Sequence, residues 1–403
     1  MSVPDRIDRL RVESEVPLVL RAGNDRLAVR GADHLEQTDG GLRVHRLPER
    51  AIRRIHTEFF RSVEPQASGV RLAARSQASW IELTLRTVAL TVEGDDPLSF
   101  WGRIDLVIDG RQHGSVALAP GAVRAVDFLT NSSTVTPGEP LTVRFADLPA
   151  RDKTIEMWLP HDVEVTLIDV RADAPLAVPD DDRLVWVNYG SSISHGFNAA
   201  GPTGTWPAVA ATTVDVDLVN LGFSGSALLD SFVAEAIRDR PADIISLEIG
   251  TNVVNHDAFR VRTFVPAVHA FLDIIRQGHP TSPLWVVSSV LCPIVEDRPG
   301  PTTMVGPPGE RTAIAEGLPE DLVRGRLSLG LIRDLLAAVV ASRAAEDPNL
   351  HYLDGRLLYG ETEHEAMPMV DGLHPDAPAQ LHIGRRFAEL VLEPTVNTRE
   401  RGD

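Results

Sequence analysis

The chain has 403 residues, with 39 Lys and Arg against 57 Asp and Glu and a formal net charge of −18. That balance argues against a nucleic-acid backbone or an anionic membrane surface as a partner. A lone cysteine, Cys292, excludes an intrachain disulfide and a cysteine-built zinc site, and a lone lysine, Lys153, leaves Schiff-base chemistry almost no candidate.

Met1 to Leu20 lacks the charged-then-apolar pattern of a signal peptide. No apolar run approaches the ~20 residues that span a bilayer. The expectation is a cytoplasmic protein. Residues 1–15 are charged and weakly patterned and read as a poorly ordered arm. From about Pro17 to Arg171 the pattern has period two: Ile81, Leu83 and Leu85 alternate with Glu82, Thr84 and Arg86, and Ile104, Leu106 and Ile108 with Asp105, Val107 and Asp109. Further sets are Ile155, Met157, Leu159 and Val163, Val165, Leu167. Turn clusters separate them, such as Gly94-Asp-Asp-Pro97, Asp109-Gly110 and Thr136-Pro-Gly-Glu-Pro140. Short alternating strands at this spacing predict an antiparallel β-sandwich over residues 1–178.

Ala172 to Asp182 holds two prolines and four aspartates and reads as the boundary. Beyond it, near-continuous apolar strands are expected at Leu184–Tyr189, Leu218–Leu221, Ile244–Ile249, Leu284–Val290 and Leu350–Leu353. Helical patterns lie between them at Trp206–Thr213, Ala227–Arg238, Phe264–Gln277 and Leu327–Ala345, with a last one at Ala377–Leu392. Thr205 and Thr263 are candidate N-caps. Alternating strands and helices predict a parallel sheet covered on both faces, a three-layer α/β fold over residues 183–395. One connection breaks the rhythm. Pro293 to Arg326 holds six prolines and five glycines, and is either a lid over the site or a surface insertion.

The residues that carry chemistry fall at the expected strand ends, where sites form in such sheets. Val185-Trp-Val-Asn-Tyr-Gly-Ser-Ser-Ile-Ser194 ends a buried strand in a sharp turn with Ser192 at its tip. Next come Asn220-Leu-Gly-Phe-Ser-Gly225, then Gly250-Thr-Asn252, then Asp371-Gly-Leu-His374. Acyl transfer by serine needs a nucleophile, a base, a group orienting the base, and oxyanion donors. These four blocks supply each type.

Together the blocks resemble the SGNH (GDSL-type) hydrolase superfamily. The resemblance covers Arg183 to Leu392 and implies a flavodoxin-like parallel sheet. It implies Ser192 as nucleophile, His374 as base and Asp371 as its orienter. Ser192 N–H, Gly225 N–H and the Asn252 amide would form the oxyanion hole. Two positions depart from the signature: Ser191 stands where Asp is usual before the serine, and Val253 where Asp follows the Asn. The Gly-Ser-Ser-Ile turn and the β domain ahead of it, with a jelly-roll-like topology expected, look like a bacterial subgroup of esterases with at least one natural-product acyltransferase. Carbohydrate esterases with a β-sandwich before the same fold are another relative.

Each residue also has a plainer reading. Ser192 alone could be a turn residue, and Ser191 and Ser194 are rival hydroxyls. Gly225 could serve only a tight turn, Asn252 only a helix cap, and Asp371 could face solvent. His195, three residues after Ser192, is either a substrate contact or a packing residue. His256, His269, His279 and His382 read as solvated and His351 as structural. Glu248, in an apolar strand, needs a buried partner or supports Asn252. Cys292 reads as inert. No histidine and acid spacing fits a zinc site, so no metal or cofactor is expected.

The leading function is a serine esterase acting on a small-molecule or sugar ester. A second is an acyltransferase that moves the acyl group from the same intermediate onto a hydroxyl. The third is a carbohydrate-binding deacetylase, for which Trp80, Trp101 and Trp158 are candidate sugar platforms; a buttressing role for the β domain is preferred.

Overall fold

The computed structural model describes residues 18–19, 26–92, 102–307 and 310–400. The arm expected over residues 1–15, the Gly94–Pro97 turn and Trp101 lie outside them. No helix among the described residues is long and apolar enough to cross a membrane.

Before residue 173 the described chain builds two sheets. One runs Ser132–Thr136, Ala122–Asp127, Ile81–Val92, Val163–Ala172, Gly41–His45, His34–Thr38, with Leu18–Val19 and Leu141–Phe145 pairing beside it. The other runs Ala28–Arg30, Arg71–Ser76, Lys153–Trp158, Arg103–Ile108, Arg111–Ala117. Leu83, Leu85, Val165 and Leu167 from the first share one apolar core with Leu72, Ile104, Leu106 and Met157 from the second. The period-two pattern therefore marks the inward faces. Two features differ from expectation. Ile81–Val92 pairs in parallel with Ala122–Asp127, and short helices at Glu49–Ile52 and Glu58–Val63 interrupt the strands.

The outer face of the smaller sheet is not a solvent face. Asp105, Glu156 and Trp158 are all buried, and Trp158 packs in the apolar cluster of the C-terminal half. Asp105 accepts hydrogen bonds from Thr203 N–H and, at 2.6 Å, from its hydroxyl. That removes Trp158 as a sugar platform. Trp80 is also buried, under the Arg144 guanidinium at 3.9 Å.

The C-terminal half is a five-stranded parallel sheet of β1 (Val185–Gly190), β2 (Asp217–Gly222), β3 (Ile244–Ile249), β4 (Leu284–Ser288) and β5 (Leu350–Leu353) in the order 2-1-3-4-5. Helices α2 (Trp206–Val214) and α7 (Ala377–Phe387) pack together on one face. Helices α3 (Ser231–Arg238), α5 (Val261–Gly278) and α6 (Leu329–Arg343) pack along the other. This is the expected three-layer, flavodoxin-like α/β fold. Two short helices follow strands of this sheet directly, α1 (Ser192–His195) after β1 and α4 (Thr251–Asn255) after β3. The order reverses between β1 and β3, the switch point where such sheets place ligands. Thr205 caps α2, accepting the Ala208 N–H. Thr263 does not cap α5: the helix starts one turn earlier, and the Thr263 hydroxyl accepts the Arg260 N–H. The Ala377–Leu392 pattern stops as an α-helix at Phe387 and continues as a π-helical turn.

Strand β2 is the sheet edge, and the β-rich half closes it. Arg71 donates to the Leu218 carbonyl at 3.1 Å, and Arg46 donates to those of Asn220 and Gly222 at 3.2 and 2.5 Å. These are the carbonyls that point away from β1. Left buried and unpaired, each would cost about 1–3 kcal/mol. Two buried guanidinium groups thus replace a missing strand.

Candidate active site

Strand β1 delivers its end through Gly190, where no side chain fits. A Cβ there would lie 2.3 Å from Ser194 Oγ and 2.7 Å from Glu248 Oε2. The chain then enters α1 with Ser191 as N-cap, its Oγ accepting the Ile193 N–H at 3.3 Å. Ser192 occupies the first turn, whose backbone N–H groups have no partner within the helix. Its Oγ lies 3.0 Å from His374 Nε2. His374 Nδ1 donates to Asp371 Oδ2 at 2.7 Å, and Asp371 Oδ1 accepts the N–H groups of Leu373 and His374 at 2.9 and 2.7 Å. Burial works against the Asp371 charge. The hydrogen bond from His374, its charge and the two backbone donors outweigh burial and hold the carboxyl below its ordinary range. The Phe197 ring lies 4.3 Å from the imidazole, centroid to centroid, and shields it on one side.

Gly225 follows β2 in the left-handed region, at φ +63°. Asn252, nearly fully buried in α4, accepts the Ala227 N–H through Oδ1 at 3.0 Å. That bond ties the two oxyanion candidates to each other and leaves the Asn252 NH₂ as the group able to donate to a ligand.

Glu248 links these pieces. Its Oε2 accepts the Ser191 N–H at 2.7 Å and the Ser194 hydroxyl at 3.4 Å, and its Oε1 accepts the Ser289 hydroxyl at 2.8 Å. Ser289 Oγ in turn accepts the Thr251 N–H at 2.8 Å. One buried carboxylate therefore fastens the Ser192 turn to the loop that carries Asn252. The rival hydroxyls are engaged in this support: Ser191 caps α1, and Ser194 donates to Glu248.

Of the two readings of His195, the geometry favours the packing residue. It is 2 % exposed. Its Nε2 donates to the His161 carbonyl at 2.7 Å and its Nδ1 accepts the Ser224 N–H at 3.3 Å. Both ring nitrogens are used, so none remains for a substrate. Burial, with the Arg46 charge nearby, pushes its pKa well down and keeps it neutral. His279 is likewise buried rather than solvated, and donates to the Ile237 carbonyl at 2.8 Å. Burial pushes the Cys292 thiol up to about 12, which leaves it inert.

The Pro/Gly-rich connection contains a hairpin, Thr302–Val305 with Thr312–Ala315. Ala313 N–H donates to the Asp371 carbonyl at 2.8 Å. The segment therefore braces the Asp371–His374 loop from outside. Gln380 was not singled out in the sequence. It is fully buried on α7 and donates to the carbonyls of Ile193 and Phe197 at 3.3 and 3.2 Å. Its position four residues after the N-cap of α7 carries no local signal of that role. No group of three or more His, Cys, Asp or Glu among the described residues could hold a metal ion.

Residues 184–293 match the GDSL-like lipase/acylhydrolase family. Among solved structures, the salicylyl-acyltransferase SsfX3 from a tetracycline biosynthetic pathway is 27% identical, with a TM-score of 0.77 over 93% of this chain and 96% of that one. A protein from Bacteroides ovatus ATCC 8483 described as GDSL-like lipase is 18% identical, with a TM-score of 0.64 over 95% and 97% of the two chains. A family two carbohydrate esterase from Cellvibrio japonicus is 12% identical, with a TM-score of 0.55 over 94% and 98%. The last two likenesses are of fold alone. No curated protein sequence matches the chain. The matched stretch supplies the β1 turn, the Gly225 turn and Asn252, and is similar there to the GDSL-like lipase/acylhydrolase family; Asp371 and His374 lie beyond it.

Proposed function

We propose that the chain is a serine-dependent esterase that cleaves a small-molecule or sugar ester through an acyl-enzyme. The observation that carries this reading is the hydrogen-bonded line from Ser192 Oγ to His374 Nε2 and from His374 Nδ1 to Asp371, at 3.0 and 2.7 Å. His374 takes the Ser192 proton as Oγ attacks the ester carbonyl, and returns it to the departing alkoxide. Asp371 holds the imidazole with its proton on Nδ1 and stabilises the imidazolium. The N–H groups of Ser192 and Gly225 and the Asn252 amide receive the oxyanion. Water then attacks the acyl-enzyme, His374 again acting as base, and releases the acid. In this reading residues 1–178 form a β domain that buttresses residues 183–395 along the β2 edge.

Ser192→Ala tests the reading. It should abolish turnover of aryl acetates while the circular dichroism spectrum stays unchanged. Retained turnover would refute the assignment.

A second reading, acyl transfer to a hydroxyl, is favoured by one observation. The 27% identical salicylyl-acyltransferase aligns over 93% of this chain, the β-rich half included. Water and an acceptor alcohol compete for one acyl-enzyme, and exclusion of water decides between them. Product partitioning with and without alcohol acceptors distinguishes the two: diversion of product from free acid to new ester supports transfer, and none at any acceptor concentration rules it out. Glycan binding by the β-rich half has less support, because Trp80 and Trp158 are both buried.

A further inference from the structure

The oxyanion turn has a neighbour from the other half of the chain. Phe59, on the short helix Glu58–Val63, lies against Gly225: a Cβ on that glycine would fall 2.7 Å from Phe59 Cε1 and 3.3 Å from Cζ. Phe59 is only partly buried, and its ring continues into that of Phe128, with centroids 5.2 Å apart. Phe128 is 57% exposed and Leu129 97%. Both sit at the tip of the hairpin between Ala122–Asp127 and Ser132–Thr136.

This tip is held in place by polar bonds. Asp127 Oδ1 accepts the Leu129 N–H at 2.8 Å. Asn131 Oδ1 accepts the Glu58 N–H at 2.8 Å, and its Nδ2 donates to the His56 carbonyl at 3.1 Å. The chain thus fixes an apolar surface in water beside the candidate oxyanion site, at a solvation cost that a bound apolar group would remove.

We propose that Phe59, Phe128 and Leu129 form a ledge that receives the acyl group of the ester and selects aryl or longer alkyl acyl groups over acetyl. The proposal rests on the reading of Ser192 as nucleophile. The layout of the sheet points to the acyl side rather than the alcohol side. Gly225 and the ledge lie at the β2 edge, and Ser192 follows the neighbouring β1. The Asp371–His374 loop lies on the other side, where Cys292, just past β4, contacts the Gly372 carbonyl at 3.6 Å and the Ala313 hairpin braces Asp371. The departing alkoxide must take its proton from His374 Nε2, so the alcohol leaves on that side. With the carbonyl oxygen in the oxyanion hole, the acyl substituent is the one left to run over the β2 edge.

The experiment compares kcat/KM for 4-nitrophenyl acetate, benzoate and octanoate in the full chain and in a Phe128→Ala, Leu129→Ser double variant. These two side chains are mostly exposed, so their loss removes little packing; thermal melting checks this. Phe59→Ala is the second variant. The benzoate-to-acetate and octanoate-to-acetate ratios should fall about tenfold or more, the scale of discrimination by an apolar pocket. Unchanged ratios in both variants would overturn the ledge. So would a change confined to a second series, in which the acetyl group is kept and the alcohol is varied. Ser192→Ala run on the same esters separates the two levels. If it retains turnover, the underlying reading fails. If it is inactive while the ratios stay unchanged, only the ledge fails.

Discussion

The two sides of the candidate site are held by different means. On the nucleophile side, nearly every polar group around Ser192 has a distant buried partner. Glu248 holds the Ser191 N–H and the Ser194 hydroxyl, Asn220 donates to the Ser194 carbonyl at 2.8 Å, and Gln380 donates to that of Ile193. The acid–base side is a connecting loop. Asp371 is fixed through its own neighbours, Leu373 and His374, and through the hairpin residues Ala313 and Thr312, while Val370 beside it is 86% exposed. A web of buried bonds couples local geometry to global stability, whereas a locally bonded loop does not. Substitutions on the first side should therefore cost stability as well as activity, and those on the second activity alone.

The largest effect should test the loop side. His374→Ala should lower kcat by about a million-fold, the scale of losing the base of a triad, with the melting temperature nearly unchanged. A large drop in melting temperature would break the comparison. Asn252→Ala should cost about 100- to 1000-fold in kcat, and should also lower stability because the Ala227 N–H loses its acceptor. Glu248→Leu should be the strongest destabiliser on the nucleophile side, by about 2–5 kcal/mol in chemical denaturation, since it strips buried donors at Ser191 and Ser289. Arg46→Met should act similarly from outside the sheet, by about 1–3 kcal/mol for each carbonyl left without a donor.

The smallest effect concerns pH. Asp230 stands at the N-cap of α3 without a capping bond, and burial, partly opposed by the His56 charge, raises its pKa from 3.8 to about 6. Its folded value exceeds the unfolded one. Its contribution to stability is therefore full below about pH 4 and is lost as pH rises through about 6. Asp230→Asn should accordingly raise the melting temperature at pH 7 to 8 and change it little near pH 4. An equal shift at both pH values would show that the carboxyl charge is not responsible.

Much of this protein could be read locally. Alternating Ile81, Leu83 and Leu85 mark an inward strand face because successive side chains point to opposite sides, and all three are fully buried. The apolar stretches ending at Gly190, Gly222 and Ile249 mark buried parallel strands. The turns that follow them carry Ser192, Gly225 and Asn252, so the candidate chemistry sat in contiguous runs of a few residues. His195 stayed open between two readings because nearness in sequence to Ser192 says nothing of direction. At that point α1 turns the ring inward, toward the His161 carbonyl.

Sequence alone determined the strand and helix pattern, the change of texture near residue 180, and the spacing of Ser192, Gly225, Asn252 and the Asp371-x-x-His374 block, because each depends on side-chain period or on neighbours in the chain. Tertiary structure decided what surrounds them. Arg46 reaches Gly222 across 176 positions, Gln380 reaches Ile193 across 187, and Phe59 covers Gly225 from the opposite half. A buried arginine, a glutamine on a helix and a partly buried phenylalanine each have many possible partners. For the arginine and the phenylalanine, packing of the β-rich half against the open β2 edge selects among them, because those outward carbonyls must find donors once water is excluded; for the glutamine, packing of α7 beside the β1 turn does so.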